Sequence, residues 1–450
     1  MIKQKLFNFN SMERSADEVT ARAGLIVHDG FMRAMKIDKI IDMHMPRAGS
    51  NRGYKASEYI RPVSLLQYGG GRNIANLREI RDDKTLQKAI DMKEIPSDSA
   101  TGDWFVRMGK GQGIEGMDKV HIEANVKMLK MDTLNNEYTL WADPTIIELG
   151  DKAYAEMLYT GQDGDRPMLV GLKELPILVH HQYRQGNAMG GTEEAVEKGF
   201  ETVEASGKKV KHTALDSEFY NANTINFIMA KKSTFTIVAD KDAAVKAVIK
   251  RIDETQWRPY YDEHGIKTDR EIAVTVHAMN ETEAFNLVVL RWKKEQLNLL
   301  EPEGYFYHAI ATDLQIDADA VIKTHRESVP DACRAVWSYN ERAQMENIIK
   351  ELKIGVGMEH MPCNEFEANA MYFSIGVLTY NLIVAQKYFV IKDGLEKATI
   401  TTLRWKLVQV VAWIAKHSGK IRLKIAATAE KFAHYMRMMK RMEAIAAVSG

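Results

Sequence analysis

Two cysteines in 450 residues leave no room for a disulfide framework. Cys333 and Cys363 fit a reducing compartment, and neither has the spacing of a metal-binding pair. Net charge is also lacking: 61 Lys and Arg stand against 61 Asp and Glu. No global positive field announces a polyanion partner, so a nucleic-acid role has to rest on local patches. An unbroken apolar run of membrane-spanning length is missing too. The most apolar long stretch, residues 372–391, carries Ser374, Asn381, Gln386 and Lys387 and is expected to be a buried helix. The first eight residues contain no apolar core of signal-peptide length. These absences lead to the expectation of a cytoplasmic protein with access to the nucleoid and no membrane partner. What is there is enough chain for two or three domains around a sizeable core.

Residues 14–130 carry apolar side chains at helical spacing in 21–40, 58–67 and 85–90. Asp98, Ser99 and Thr101 are candidate caps for a further helix holding Trp104, Phe105 and Met108. Arg47, Arg52, Lys55, Arg61, Arg72, Arg78 and Arg81 form either a DNA-backbone surface or ordinary solvated faces. Gly69-Gly70-Gly71 and Gly109-Lys110-Gly111-Gln112-Gly113 look like phosphate loops only superficially. Neither follows a clear strand nor ends in Gly-Lys-Ser/Thr, so the first is expected to be a turn and the second a linker.

From Glu137 the periodicity changes to short apolar runs. Residues 138–145 predict a strand running into Asp143, and 153–159 and 167–182 predict strands joined by a turn at 161–165. Adjacent His180 and His181 on such a strand point to opposite faces, which suits structural or surface roles better than metal binding. A helix opens at Thr192 with acids in its first turn. Residues 213–220 repeat the strand-then-acid pattern at Asp216, followed by a helix at 222–231 and a strand at 234–238. That alternation predicts an α/β core. Residues 240–302 contain strand-like runs at 271–276 and 286–292 and are expected to form a mainly β insertion; a further strand is expected at 305–312. From residue 390 onward, twelve Lys/Arg stand against four Asp/Glu, predicting a basic helical C-terminal region. Within it, Arg437, Lys440 and Arg441 fit either DNA or the edges of a core helix.

The stretch that organises the rest is residues 339–353, Tyr-Asn-Glu-Arg-Ala-Gln-Met-Glu-Asn-Ile-Ile-Lys-Glu-Leu-Lys. At about 100° per residue, Tyr339, Arg342, Glu346 and Lys353 share one stripe. Met345, Ile348, Ile349 and Leu352 form a separate apolar arc. The stripe is either a solvated face with helix-spaced ion pairs or a carboxylate set among cations for metal and phosphate.

The spacing Tyr-x2-Arg-x3-Glu-x6-Lys resembles the third catalytic motif of DDE transposases from bacterial insertion sequences, in the Tyr-Arg-Glu-Lys signature group. The following text is similar to that family too: Gly355-x-Gly357-Met358-Glu359-His360-Met361-Pro362-Cys363, Phe366-x-Ala368-Asn369 and Thr379-Tyr380-Asn381-Leu382. The resemblance covers residues 137–391 and is weaker before them. It implies a ribonuclease-H-like catalytic core at 131–391, with the β insertion at 240–302, a helical DNA-binding region at 1–130 and a basic helical region at 392–450. Asp143, Asp216 and Glu346 would be its three carboxylates, holding two Mg2+ or Mn2+ ions, while Tyr339, Arg342 and Lys353 would grip phosphates near the cleaved end. The chain departs from the family where many relatives carry a second acid: here stands Trp141, and Pro144 removes a backbone donor beside Asp143. Glu148 is the nearest substitute carboxylate.

The implied activity is cut-and-paste transposition. Strands would be cleaved at terminal inverted repeats and joined to target DNA, with two ends held by at least a homodimer. Two rivals share parts of this pattern. One is a ribonuclease-H-like nuclease or junction resolvase without strand transfer; the other is a catalytically silent, transposase-derived DNA-binding protein.

Overall fold

The structure, a computed structural model, describes residues 12, 18–50, 53–188, 190–294, 304–417 and 420–448. The first eight residues, Arg52 and residues 295–302 of the expected insertion lie outside the described residues. The helical periodicity of the first third produces α1 (Leu25–Ala34), α2 (Ile37–His44), α3 (Ala56–Gly69), α4 (Asp98–Gly109) and α5 (Gly113–Met131). Lys36, at a left-handed φ of 56°, splits the expected 21–40 helix into α1 and α2. Gly70, at φ 96°, ends α3 in a conformation that disfavours side chains, so the first glycine cluster is a helix stop.

Two local expectations are corrected here. The cap of α4 is Ser97, whose hydroxyl accepts the Ala100 N–H at 3.1 Å, while Asp98 already belongs to the helix. The second glycine cluster is a tight turn between α4 and α5 rather than a linker. Close packing requires it, since a Cβ on Gly109 would lie 2.2 Å from the Glu367 carbonyl oxygen.

From residue 137 the chain builds a mixed sheet of nine strands among the described residues. They are β1 (Glu137–Pro144), β2 (Met168–Leu172), β3 (Leu178–Gln182), β4 (Lys209–Leu215), β5 (Thr234–Val238), β6 (Arg258–Tyr261), β7 (Lys267–His277), β8 (Phe285–Lys293) and β9 (Tyr305–Thr312). Their spatial order is β6-β7-β8-β9-β5-β4-β1-β2-β3. β1, β4 and β5 run parallel; the remaining pairings are antiparallel. The strands of the expected insertion extend this same sheet, because β9 pairs with β5 and gives that otherwise open edge a partner. β8 is apolar on both faces: Leu287 and Val289 join the main core, while Val288 and Leu290 pack with Ala332, Cys333 and Val336.

The region after β1 also differs from expectation. Residues 153–159 contribute only Glu156–Met157 as strand, and the expected turn at 161–165 contains the strand Asp163–Asp165, which pairs with Ile147–Glu148. The single run expected at 167–182 is the hairpin β2–β3.

Further helices of the frame include α6 (Thr192–Ala205), α7 (Cys333–Asn340), α8 (Gln344–Lys350) and α9 (Phe366–Gln386). Among the described residues α9, with its continuation to Ile391, is the one helix long and apolar enough to cross a membrane, and that apolar stretch is wholly enclosed by protein. Several of its buried polar side chains are paired with neighbouring elements. Thr379 Oγ1 lies 2.9 Å from both Ser64 Oγ and Gln67 Oε1 of α3. Asn381 accepts the Leu178 N–H at 2.8 Å and donates to the Leu178 carbonyl and to Asn125 Oδ1. Thus α9 fastens the N-terminal helices to β3.

The C-terminal region is not all helical. Ala412–His417 and Lys420–Ile425 form a hairpin whose first strand pairs with Val19–Thr20, and only then does α10 (Ala429–Val448) begin. The period-two alternation Ile421-Arg-Leu-Lys-Ile425 carried that signal.

Candidate active site

β1 and β4 lie side by side, parallel, in a register that pairs Ala142 with Leu215. One position further along, Asp143 and Asp216 occur at the same ends of neighbouring strands, so their side chains leave the same face of the sheet. Asp216 caps the short 3-10 turn Ser217–Phe219, its Oδ1 accepting the Glu218 N–H at 3.0 Å. Glu346, exposed on α8, completes the trio: all three carboxylates line one cleft of about 570 Å3. Arg166, Lys350 and Lys353 line the same cleft. Glu148 does not; it is exposed in the small sheet opposite Gly164.

Burial pushes the Asp143 carboxyl up to about 6; the Arg342 guanidinium opposes that rise, and the fields of Asp216 and Glu346 add to it. Asp216 is raised as well, chiefly by burial, again against Arg342. Asp216 and Glu346 therefore both act on Asp143, and hard carboxylate oxygens suit Mg2+ or Mn2+. The arrangement is not a closed cage, however. Among the described residues no three His, Cys, Asp or Glu side chains gather closely enough to hold a metal ion.

The expected regular helix at 339–353 is broken. α7 ends at Asn340, Glu341–Ala343 is a 3-10 turn, α8 covers Gln344–Lys350, and Glu351–Val356 is a π-helical turn. A constant 100° step therefore fails across this stretch. The apolar arc survives, with Met345, Ile348 and Leu352 buried, but the polar stripe divides. Lys353 lines the cleft and its Nζ donates to the Ile146 carbonyl at 2.7 Å, tying the π turn to the segment after Asp143. Arg342 and Tyr339 are not among the residues that line the cleft. Arg342 Nη1 is 3.1 Å from Asp143 Oδ1, and its Nη2 donates to the Tyr339 hydroxyl at 3.1 Å. The Arg342 Nε is buried without a partner, a state that costs about 1–3 kcal/mol.

One cluster was invisible in the sequence. The Glu218 side chain, 8% exposed, pairs with both Arg166 and Arg184. Arg184 in turn donates from Nε to the Arg166 carbonyl at 3.1 Å. This clamp fixes the turn whose N–H orients Asp216. Its members are 18, 34 and 52 residues apart in the chain, so no local spacing announces them.

Over residues 11–447 the sequence matches the family described as "Transposase DDE domain group 1". The chain belongs to this DDE transposase family. Solved structures that match include the "Cryo-EM structure of piggyBac transposase synaptic complex with hairpin DNA (SNHP)". Identity there is 11%, 88% of this chain and 83% of that chain are covered, and the TM-score is 0.47. No match was found among curated proteins. Family membership makes the chain a transposase-type enzyme, and such enzymes generally use divalent metal ions. The basic C-terminal helix of this DDE transposase is partly committed to its own fold: Arg437 and Arg441 of α10 both pair with Asp393.

Proposed function

We propose that this transposase excises and reinserts the bacterial insertion sequence that encodes it, acting on double-stranded DNA at terminal inverted repeats. The observation that carries this reading is the single cleft that Asp143, Asp216 and Glu346 line together with Arg166, Lys350 and Lys353. The strand order β3-β2-β1-β4-β5, with β2 alone antiparallel to the other four, supports a ribonuclease-H-like core.

In this reading the cations draw the DNA backbone into the cleft and orient the scissile phosphate. The acids face it. Bound Mg2+ or Mn2+ would supply activation of the attacking oxygen and stabilisation of the leaving one, and Asp143, Asp216 and Glu346 are the residues that would hold it. Water attack breaks one phosphodiester and frees a 3′-hydroxyl. That hydroxyl then displaces an oxygen on the opposite strand, leaving a hairpin that a second water opens, and the 3′ end is transferred to target DNA. Two ends handled together require at least a homodimer.

Cleavage of short duplexes tiled across the DNA flanking the reading frame tests this. It should require Mg2+ or Mn2+, stop with EDTA, and vanish in Asp143→Ala, Asp216→Ala and Glu346→Ala while DNA binding survives. Full activity in any one variant removes that residue from the site. Cleavage without any joined product leaves a nuclease lacking strand transfer.

A further inference from the structure

Arg342 is placed oddly for a residue whose task is only to hold DNA. It does not line the cleft itself but sits 3.1 Å from one oxygen of Asp143, which does, and it is 19% exposed, as is its partner. A guanidinium there neutralises the carboxylate in the way a bound cation would. Two cations cannot share that oxygen cheaply, because like charges at such range repel. Yet Arg342 is under-satisfied in this pose. Its Nε is buried with no acceptor, while Nη2 rests on the neutral Tyr339 hydroxyl and the guanidinium lies 5.3 Å from that ring's centre. A phosphate offers what the pose lacks: oxygens that accept from two guanidinium nitrogens at once. Tyr339 can remain a pivot for such a swing, its own ring held 5.9 Å from His308.

We propose that Arg342 is an internal surrogate cation, a latch that weakens metal binding at Asp143 until a DNA phosphate draws the guanidinium away. Metal and DNA then bind with positive coupling, which by linkage is reciprocal, and the enzyme is disarmed when no DNA occupies the cleft. The inference rests on the reading of Asp143, Asp216 and Glu346 as metal ligands and of the cleft as a DNA site.

The test measures Mn2+ affinity directly, by electron paramagnetic resonance of free Mn2+, on the full chain and independently of turnover. Without DNA, Arg342→Gln should bind Mn2+ about tenfold more tightly than the unaltered protein, a coupling of ordinary size, whereas Arg342→Lys, which keeps a cation, should stay near the starting value. Adding Asp143→Asn to Arg342→Gln should abolish the gain. With the tiled flanking duplexes, the unaltered protein should gain about the same factor and Arg342→Gln should gain little. Matching circular dichroism melts exclude a folding defect as the cause. Equal or weaker Mn2+ binding in Arg342→Gln overturns the latch while leaving the metal site standing. Absence of Mn2+ binding in every form, with and without DNA, overturns the underlying reading of the acids and the latch with it.

Discussion

Asp143 carries the most informative protonation equilibrium in the molecule. Its carboxyl is raised from 3.8 to about 6, first by burial, against the opposing field of Arg342. A raised carboxyl pKa means that the folded protein holds the proton more tightly than the unfolded chain. The associated stability is fully present below 3.8 and is lost as pH rises through about 6. Asp143→Asn has no such charge to bury. In EDTA, thermal melts should therefore show the variant gaining on the unaltered protein by about 1–3 kcal/mol between about pH 4 and 7. A gap that stays constant with pH would place the carboxylate in a wetter setting than the structure does. Lys353 poses a different question at the same scale, since its amine already donates to the Ile146 carbonyl. If that amine also meets a backbone phosphate, Lys353→Ala flattens the slope of log affinity against log salt by about one unit, measured without divalent metal. An unchanged slope would make Lys353 a structural tie alone.

Among elements, α9 does the most to position the site without touching it. Asn381 satisfies both the N–H and the carbonyl of Leu178, at the irregular start of β3, and engages Asn125 of α5. Asn381→Leu keeps the volume but leaves the Leu178 N–H and Asn125 Oδ1 buried and unpaired, while the Leu178 carbonyl keeps Asn125 Nδ2 at 3.0 Å. The expected loss is about 3 kcal/mol or more in urea unfolding; a change under about 1 kcal/mol would mean that water replaces the amide. The sequence showed α9 plainly through its length and apolarity, and its polar residues marked it as a core helix. The irregular helix around Glu346 was less legible. Tyr339, Arg342, Glu346 and Lys353 are spaced as if on one cylinder, but the 3-10 and π turns that re-aim them answer to packing against the sheet and to the Ile400 N–H, which Glu351 accepts at 2.6 Å.

At the scale of the whole molecule, one apolar core runs from Ala23 to Met438. The N-terminal helices complete it with α9: Phe105 meets the Tyr372 ring at 5.8 Å, and His121 reaches the Ser374 carbonyl at 3.0 Å. Residues 1–130 alone would expose the faces that α9 and the C-terminal hairpin cover. Such a fragment should lack a cooperative melt and a protease-resistant core, and any gel shift it gives should not be taken as that of a folded module. A sharp transition with native-like helix content would establish instead that the region folds by itself.

What the sequence determined by itself is the set of short-range facts: strands that run into Asp143 and Asp216, an apolar arc beneath Glu346, a buried long helix, and the motif spacing that pointed to the DDE transposases. Each depends on residues within a few turns or strand lengths of one another, where periodicity is read directly. Tertiary structure alone decided the rest. The parallel register of β1 and β4 sets the two aspartates side by side, the insertion strands extend the sheet that carries them, and the Arg166–Glu218–Arg184 clamp forms across chain separations with no local signature. Arg342 shows the division most clearly. Spacing placed it beside Glu346, but only folding turned its guanidinium onto Asp143, because the choice between a carboxylate and a phosphate is made by what is buried next to it and not by its position on a helical wheel.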